Sequence, residues 1–138
     1  MIVVDTSAVV AVLLSEPSAD AILTRLGEEE FGDRVMSAAS FVEAGRELAG
    51  RHADPDRAVA LLEAFLTASG ISVVPVDGEQ ARLALWARIH FGRGFGAPAK
   101  LNFGDCFSYA LAKSLDAPLL FIGNDFTATD ITAALPPS

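Results

Sequence analysis

Cysteine occurs once in this chain, histidine twice, and tryptophan and tyrosine once each. The lone thiol, Cys106, excludes an internal disulfide and suits a reducing cytoplasm, the expected location. His52 and His90 have no partners at ligand spacing, so no zinc grouping is offered. Basic residues are also scarce: 10 stand against 18 acidic ones, a net charge of −8. That balance excludes a general nucleic-acid coat. It does not exclude an enzyme acting on nucleic acid, because metal-binding carboxylates add to the count and bound cations reverse their local effect. No apolar run approaches the roughly 18 to 20 residues of a membrane span. The N-terminus lacks the basic start and cleavage pattern of a signal peptide. Repeats, low-complexity tracts and interdomain linkers are absent too, so residues 1–138 are expected to form one domain.

What is abundant is apolar surface. Hydrophobic residues make up 51% of the chain and its mean hydropathy is +0.40. In a chain this short that excess points to an interface between protein molecules, a homodimer first of all. Four short, mostly uninterrupted apolar runs predict buried strands at Ile2–Val4, Arg34–Met36, Ile71–Val76 and Leu119–Ile122. Continuous apolarity suits parallel strands covered on both faces. Helical patterns lie between them. Ser7–Leu14 and Ser18–Leu26 flank a break at Pro17, and "SAASFVEAGRELAG" ends at Gly50. Asp54 caps a helix that has Pro55 in its first position and Gly70 as its stop. Asp77, with Gln80 three residues on, has capping-box spacing. A glycine-rich loop (92–98) precedes a last helix in "LNFGDCFSYALAKSL". Alternating helices and buried strands predict a three-layer α/β/α sandwich around a mainly parallel sheet.

Four carboxylates interrupt this apolar pattern. Asp5 follows the first strand, at the edge where open α/β sheets bind ligands, and Asp125 occupies the equivalent place after the last strand. Glu43 and Asp105 break apolar helical faces in "AASFVEAGREL" and "DCFSYALA". A hard divalent cation accounts for such a set, since Mg²⁺ takes carboxylate oxygens and keeps waters that further carboxylates orient. Each acid also has a structural reading. Ser40 and Glu43 match a capping box, Asn102 and Asp105 have the same spacing, Asp125 suits a turn, and Asp5 can cap the helix after it. Trp86 and the phenylalanines read mostly as core, as does Cys106.

The stretches "VVDTSAVVAVLLSEP", "SAASFVEAGREL", "NFGDCFSYALAK" and "PLLFIGNDFTATDI" occur in that order over about the full length. Together they resemble PIN-domain proteins, specifically VapC-like toxins of type II toxin–antitoxin (VapBC) systems. The resemblance implies a metal-dependent endoribonuclease. Asp5, Glu43 and Asp105 match the acidic triad around Mg²⁺, or Mn²⁺ in its place, and Asp125 matches the fourth acid, with Asn124 and Asp130 nearby as alternatives. It also implies an RNA substrate, a VapB-like antitoxin as partner, a homodimer, and hydrolysis by a metal-activated water leaving a 5′-phosphate and a 3′-hydroxyl. Thr6 and Ser7 match the hydroxyl positions after the first acid, where helix capping is the competing role. Arg46, one turn beyond Glu43, is placed to balance the acids or meet a phosphate, and Arg93 and Lys100 flank the glycine-rich loop.

Three other functions compete. A strand-end aspartate phosphoryl-transfer protein would carry a second aspartate two residues after the first, where this chain has Ser7. A PIN fold serving only as a binding module would have lost one of the acids, and all four are present. A housekeeping RNA-processing nuclease would share both fold and chemistry.

Overall fold

Ile2–Val4, all β-branched and all buried, form strand β1 in the computed structural model, which describes residues 1–96 and 98–136. Ala97, within the glycine-rich loop, and Pro137 and Ser138 lie outside the described residues. Strand β2 (Arg34–Ser37) pairs with one side of β1 and β4 (Leu119–Leu120) with the other, while β3 (Ile71–Val74) pairs with β2. Every pairing is parallel, in the order β3-β2-β1-β4.

Side chains alternate across a strand with period two, and each face of this sheet builds its own core. Ile2, Val4 and Met36 pack with α1 (Thr6–Leu13), α2 (Ala19–Leu26), α3 (Ala38–Gly50) and α4 (Pro55–Ala68). Val3, Val35 and Leu119 pack on the other face with α5 (Gly78–Phe91) and α6 (Asp105–Leu115). The three layers are those expected. A buried charge at the start of β2 is accommodated by its neighbours: Arg34 donates from Nε to the Glu29 carbonyl (2.9 Å) and from Nη1 to the Ser69 carbonyl (2.8 Å). Its guanidinium also lies 4.7 Å over the Phe31 ring.

Several boundaries differ from expectation, each for a local reason. β3 stops at Val74 because Pro75 has no N–H to donate to the ladder. β4 is two residues rather than four, since the Ile122 N–H turns to the Ser7 hydroxyl (3.0 Å). β2 runs one residue further, to Ser37, whose side chain caps α3 by accepting from the Ala39 N–H. Ser40 is therefore inside the helix and fully buried, and the capping box with Glu43 does not form. Asp77 accepts from the Gln80 N–H (2.8 Å), but the Gln80 amide points to the Pro75 carbonyl and does not close the box. The last helix begins at Asp105 rather than Leu101, which instead forms a bridge with Gly92. Ser18 precedes α2 without a side-chain cap bond.

Beyond β4, the Leu119 N–H donates to the Thr132 carbonyl (2.9 Å) and the Ala134 N–H to the Leu119 carbonyl (2.8 Å). Residues 132–134 thus lie along the outer edge of the sheet. Among the described residues no helix is long and apolar enough to cross a membrane.

Candidate active site

Parallel pairing sends the C-terminal ends of β1, β2 and β4 to one sheet edge, and the four acids gather there. Asp5 leaves β1, Glu43 rides on α3 directly after β2, Asp105 is the first residue of α6, and Asp125 follows β4. All four line one cavity of about 250 Å³. Glu16 and Glu47 line it as well, along with Thr6, Ser7, Val10, Asn102 and Ile122. Asn124 and Asp130 do not line it. Asp130 accepts from the Tyr109 hydroxyl (2.7 Å) and the Lys113 ammonium (3.0 Å). Burial opposes its ionisation, but those two bonds hold it below the ordinary carboxylate range.

Asp5 plays its structural role and faces the cavity at once. Its Oδ2 caps α1, accepting from the Ser7 N–H (3.1 Å) and the Ser7 hydroxyl (2.7 Å). Oδ1 accepts from the fully buried Ser108 hydroxyl (2.5 Å). The cost of burying a carboxylate is offset by these donors. Asp105 is held by a reciprocal pair with Asn102: its Oδ2 accepts from the Asn102 N–H (3.0 Å), and its own N–H donates to Asn102 Oδ1 (2.8 Å). The pair closes the turn that leads into α6, and Asp105 stands in the first turn of that helix. Both structural readings hold for Asp5 and Asp105 without displacing either from the cavity.

Electrostatically the cavity is strained. Burial, followed by the charge of Asp5, pushes Asp105 up to about 7, with Asp125 and Glu43 adding to the shift and the Asn102 N–H opposing it. Burial and then Asp5 likewise raise Glu43, against the pull of Arg46. Among the described residues no lysine or arginine lines this cavity. Hard oxygen donors, mutual repulsion and the lack of a lining cation together make a set that fits a divalent cation. The acids face a shared space and are not drawn in to a closed cage: among the described residues no three acidic, histidine or cysteine side chains form a ready ligand cluster.

Gly104 stands directly against Glu43. A Cβ built on it would fall inside the Glu43 carboxylate, although the Gly104 backbone is ordinary helical geometry (φ −65°). The glycine there serves space rather than backbone freedom. Arg46 lines an adjoining cavity of about 430 Å³ that shares Glu43 and Asn102 and is otherwise walled by Ala39, Val42, Phe103, Gly104 and Phe107. Arg93 and Lys100 line neither cavity. Cys106 is buried, as expected, and its thiol is pushed up to about 11 by burial and by Asp105. Trp86 and several phenylalanines are not core: Phe103 is 73% exposed and Trp86 42%.

Sequence reasoning missed Glu16, Glu47 and Ser108. Glu47 had a signal, standing four residues after Glu43 on the same helical face. Glu16 had none, because it lies in the break after α1 and only the fold turns it to the cavity.

Comparison with known proteins accords with this geometry. The sequence pattern of the PIN domain matches residues 2–131. The chain is 47% identical over 133 residues to ribonuclease VapC28 of Mycobacterium tuberculosis, covering 96% of this chain and 97% of that protein. It is 40% identical over 131 residues to ribonuclease VapC of Mycolicibacterium smegmatis, covering 95% and 98%. In fold it resembles the crystal structure of VapC20 of M. tuberculosis, described as a Sarcin-Ricin loop cleaving toxin, with a TM-score of 0.76 at 18% identity over 99% of this chain and all of that one. VapBC-1 of nontypeable Haemophilus influenzae gives a TM-score of 0.71 at 21% identity over 96% of both chains.

Proposed function

The chain belongs to the PIN domain family, and from that premise we propose that it is a metal-dependent endoribonuclease, the toxin of a toxin–antitoxin pair. The observation that supports this most is the gathering of Asp5, Glu43, Asp105 and Asp125, from four separate elements, around one cavity at the sheet edge. The ribonuclease names of relatives at 40–47% identity support the same activity.

Those four acids would hold the ion, Mg²⁺ or Mn²⁺. When bound it supplies the positive charge that offsets the phosphodiester, and it lowers the pKa of a water enough to make a nucleophile. The protein's own residues prepare the site. Ser7 and Ser108 hold Asp5 in a single orientation, and Asn102 does the same for Asp105. Glu47 and Glu16 add negative charge at the rim, which strengthens cation capture and repels RNA until a cation is present. Arg46, in the adjoining cavity beside Glu43, is positioned to receive a neighbouring phosphate of the strand.

The partners follow the same reading. A VapB-like antitoxin would silence the site, most directly by bringing a basic side chain to these acids. A second copy of the chain would cover the apolar surface exposed on α5 and just before α6, where Leu85, Trp86, Ile89 and Phe103 are 61%, 42%, 47% and 73% exposed.

The test is RNA cleavage by near-isosteric variants. Asp5→Asn, Glu43→Gln and Asp105→Asn should each lose Mg²⁺-dependent cleavage while remaining folded by circular dichroism, and Asp125→Asn should be the mildest, because an amide oxygen still orients water. Cleavage at the wild-type rate by Asp105→Asn would remove that residue from the site.

A further inference from the structure

The two acid-bearing helices share a spacing that the acids alone do not explain. On α3, Ser40 stands three residues before Glu43, and on α6, Ser108 stands three residues after Asp105. Residues three apart lie on one helical face. Both serines are fully buried, and they meet beneath Asp5. Ser108 Oγ is 2.5 Å from Asp5 Oδ1 and 2.9 Å from Ser40 Oγ, while Thr6 Oγ1 donates to the Ser40 carbonyl (2.8 Å). The chain of contacts links α1, α3 and α6.

We propose that Ser108, with Ser40 behind it, is the positioning residue that fixes the Asp5 carboxylate for cation binding. The direction of the protons follows from elementary bookkeeping of donors. An ionised carboxylate only accepts, and a hydroxyl has one proton. Ser108 therefore donates to Asp5, which leaves its own oxygen as an acceptor, and Ser40 must donate to Ser108. The short separation to Asp5 is that of a charge-assisted O–H···O⁻ bond. With Ser7 holding Oδ2 and Ser108 holding Oδ1, both oxygens are gripped from the protein side and rotation of the carboxylate is blocked. The capacity that remains serves the cavity that Asp5 lines. Ser40 does not touch Asp5. It orients the hydroxyl that does.

This arrangement predicts an unequal and non-additive pair. Ser108→Ala removes the bond to Asp5 and also leaves the fully buried Ser40 hydroxyl without its partner. Ser40→Ala leaves the Ser108–Asp5 bond standing with a less constrained rotor. Outer partners of metal ligands are worth about 10- to 100-fold in metal affinity.

The proposal rests on the nuclease reading only in taking Asp5 as a cation ligand, and the probe is Mn²⁺ alone, titrated into the full chain and followed by electron paramagnetic resonance. Ser108→Ala should weaken Mn²⁺ binding about 10-fold or more, Ser40→Ala should weaken it less, and the double variant should match Ser108→Ala, because the interaction between the two serines is already gone. Ser108→Thr and Ser108→Val form a second pair that adds the same bulk and differs in the hydroxyl, so tighter Mn²⁺ binding by Thr separates the hydrogen bond from packing. Equal affinity of wild type and Ser108→Ala, strictly additive losses, or equal binding by the Thr and Val variants would each overturn the positioning role. Failure of the wild-type chain to bind Mn²⁺ would overturn the metal reading itself, and this proposal with it.

Discussion

Gly104 shows how a residue with no side chain shapes the site. Its α-hydrogen side is occupied by the Glu43 carboxylate, so an added methyl cannot be accommodated by a shift of backbone torsions. The flexible end of Glu43 would have to move. Gly104→Ala should therefore leave the fold intact, with a melting temperature within a few degrees of wild type, and lose most RNA cleavage and Mn²⁺ affinity. A variant with wild-type cleavage would show that Glu43 can work from another rotamer. At this scale the four acids were legible because each breaks an apolar pattern. The roles of Ser40, Ser108 and Gly104 were not. Ser40, three residues before Glu43, has the spacing of a capping box, Ser108 stands in an apolar helical run, and only the meeting of α3 with α6 makes them partners. Gly104 reads as a helix-start glycine until Glu43 is placed against it.

Helices and strands were foreseeable in number and order, because their apolar periods and stop signals are local. Their ends were less so. β4 is short because of a hydroxyl on α1, and α3 starts where Ser37, not Ser40, can cap it. Elements also decide the electrostatics: α1, α3 and α6 carry like charges to one point. Asp105 keeps its proton to about pH 7 in the fold, whereas its ordinary value is 3.8. Between those values the unfolded chain releases a proton that the folded chain retains. The Asp105 contribution therefore lowers the stability of the metal-free fold as pH rises from about 4 to 7, and is complete beyond that. Asp105→Asn should be more stable than wild type at pH 8 by up to about 4 kcal/mol in the absence of metal, and the gain should vanish near pH 3. Urea unfolding across that range checks it. Saturating Mg²⁺ should erase the difference, because a cation favours the ionised carboxylate; a gain independent of pH would point to packing instead.

The whole molecule presents its apolar excess unevenly. The 51% hydrophobic content points to an interface without locating it on the surface. Large exposed residues lie on several elements: Leu23 on α2, Val59 and Leu61 on α4, and Leu85, Trp86 and Ile89 on α5 with Phe103 just before α6. Leu85→Glu with Ile89→Glu should convert a dimer to a monomer by light scattering at micromolar concentration without loss of Mn²⁺ binding, since neither residue lines the acidic cavity. A wild-type chain that is already monomeric would remove the second copy as the occupant of that face.

The segment 132–134 alongside β4 has a further consequence, for solubility. An outermost parallel strand offers its free amides and carbonyls to any other extended chain, and β4 lies one strand away from the Asp5 turn. By taking both backbone groups of Leu119 for itself, the tail occupies the place that a second sheet would need for edge-to-edge stacking. Residues 132–134 thus guard the outer edge of β4 against pairing with another chain.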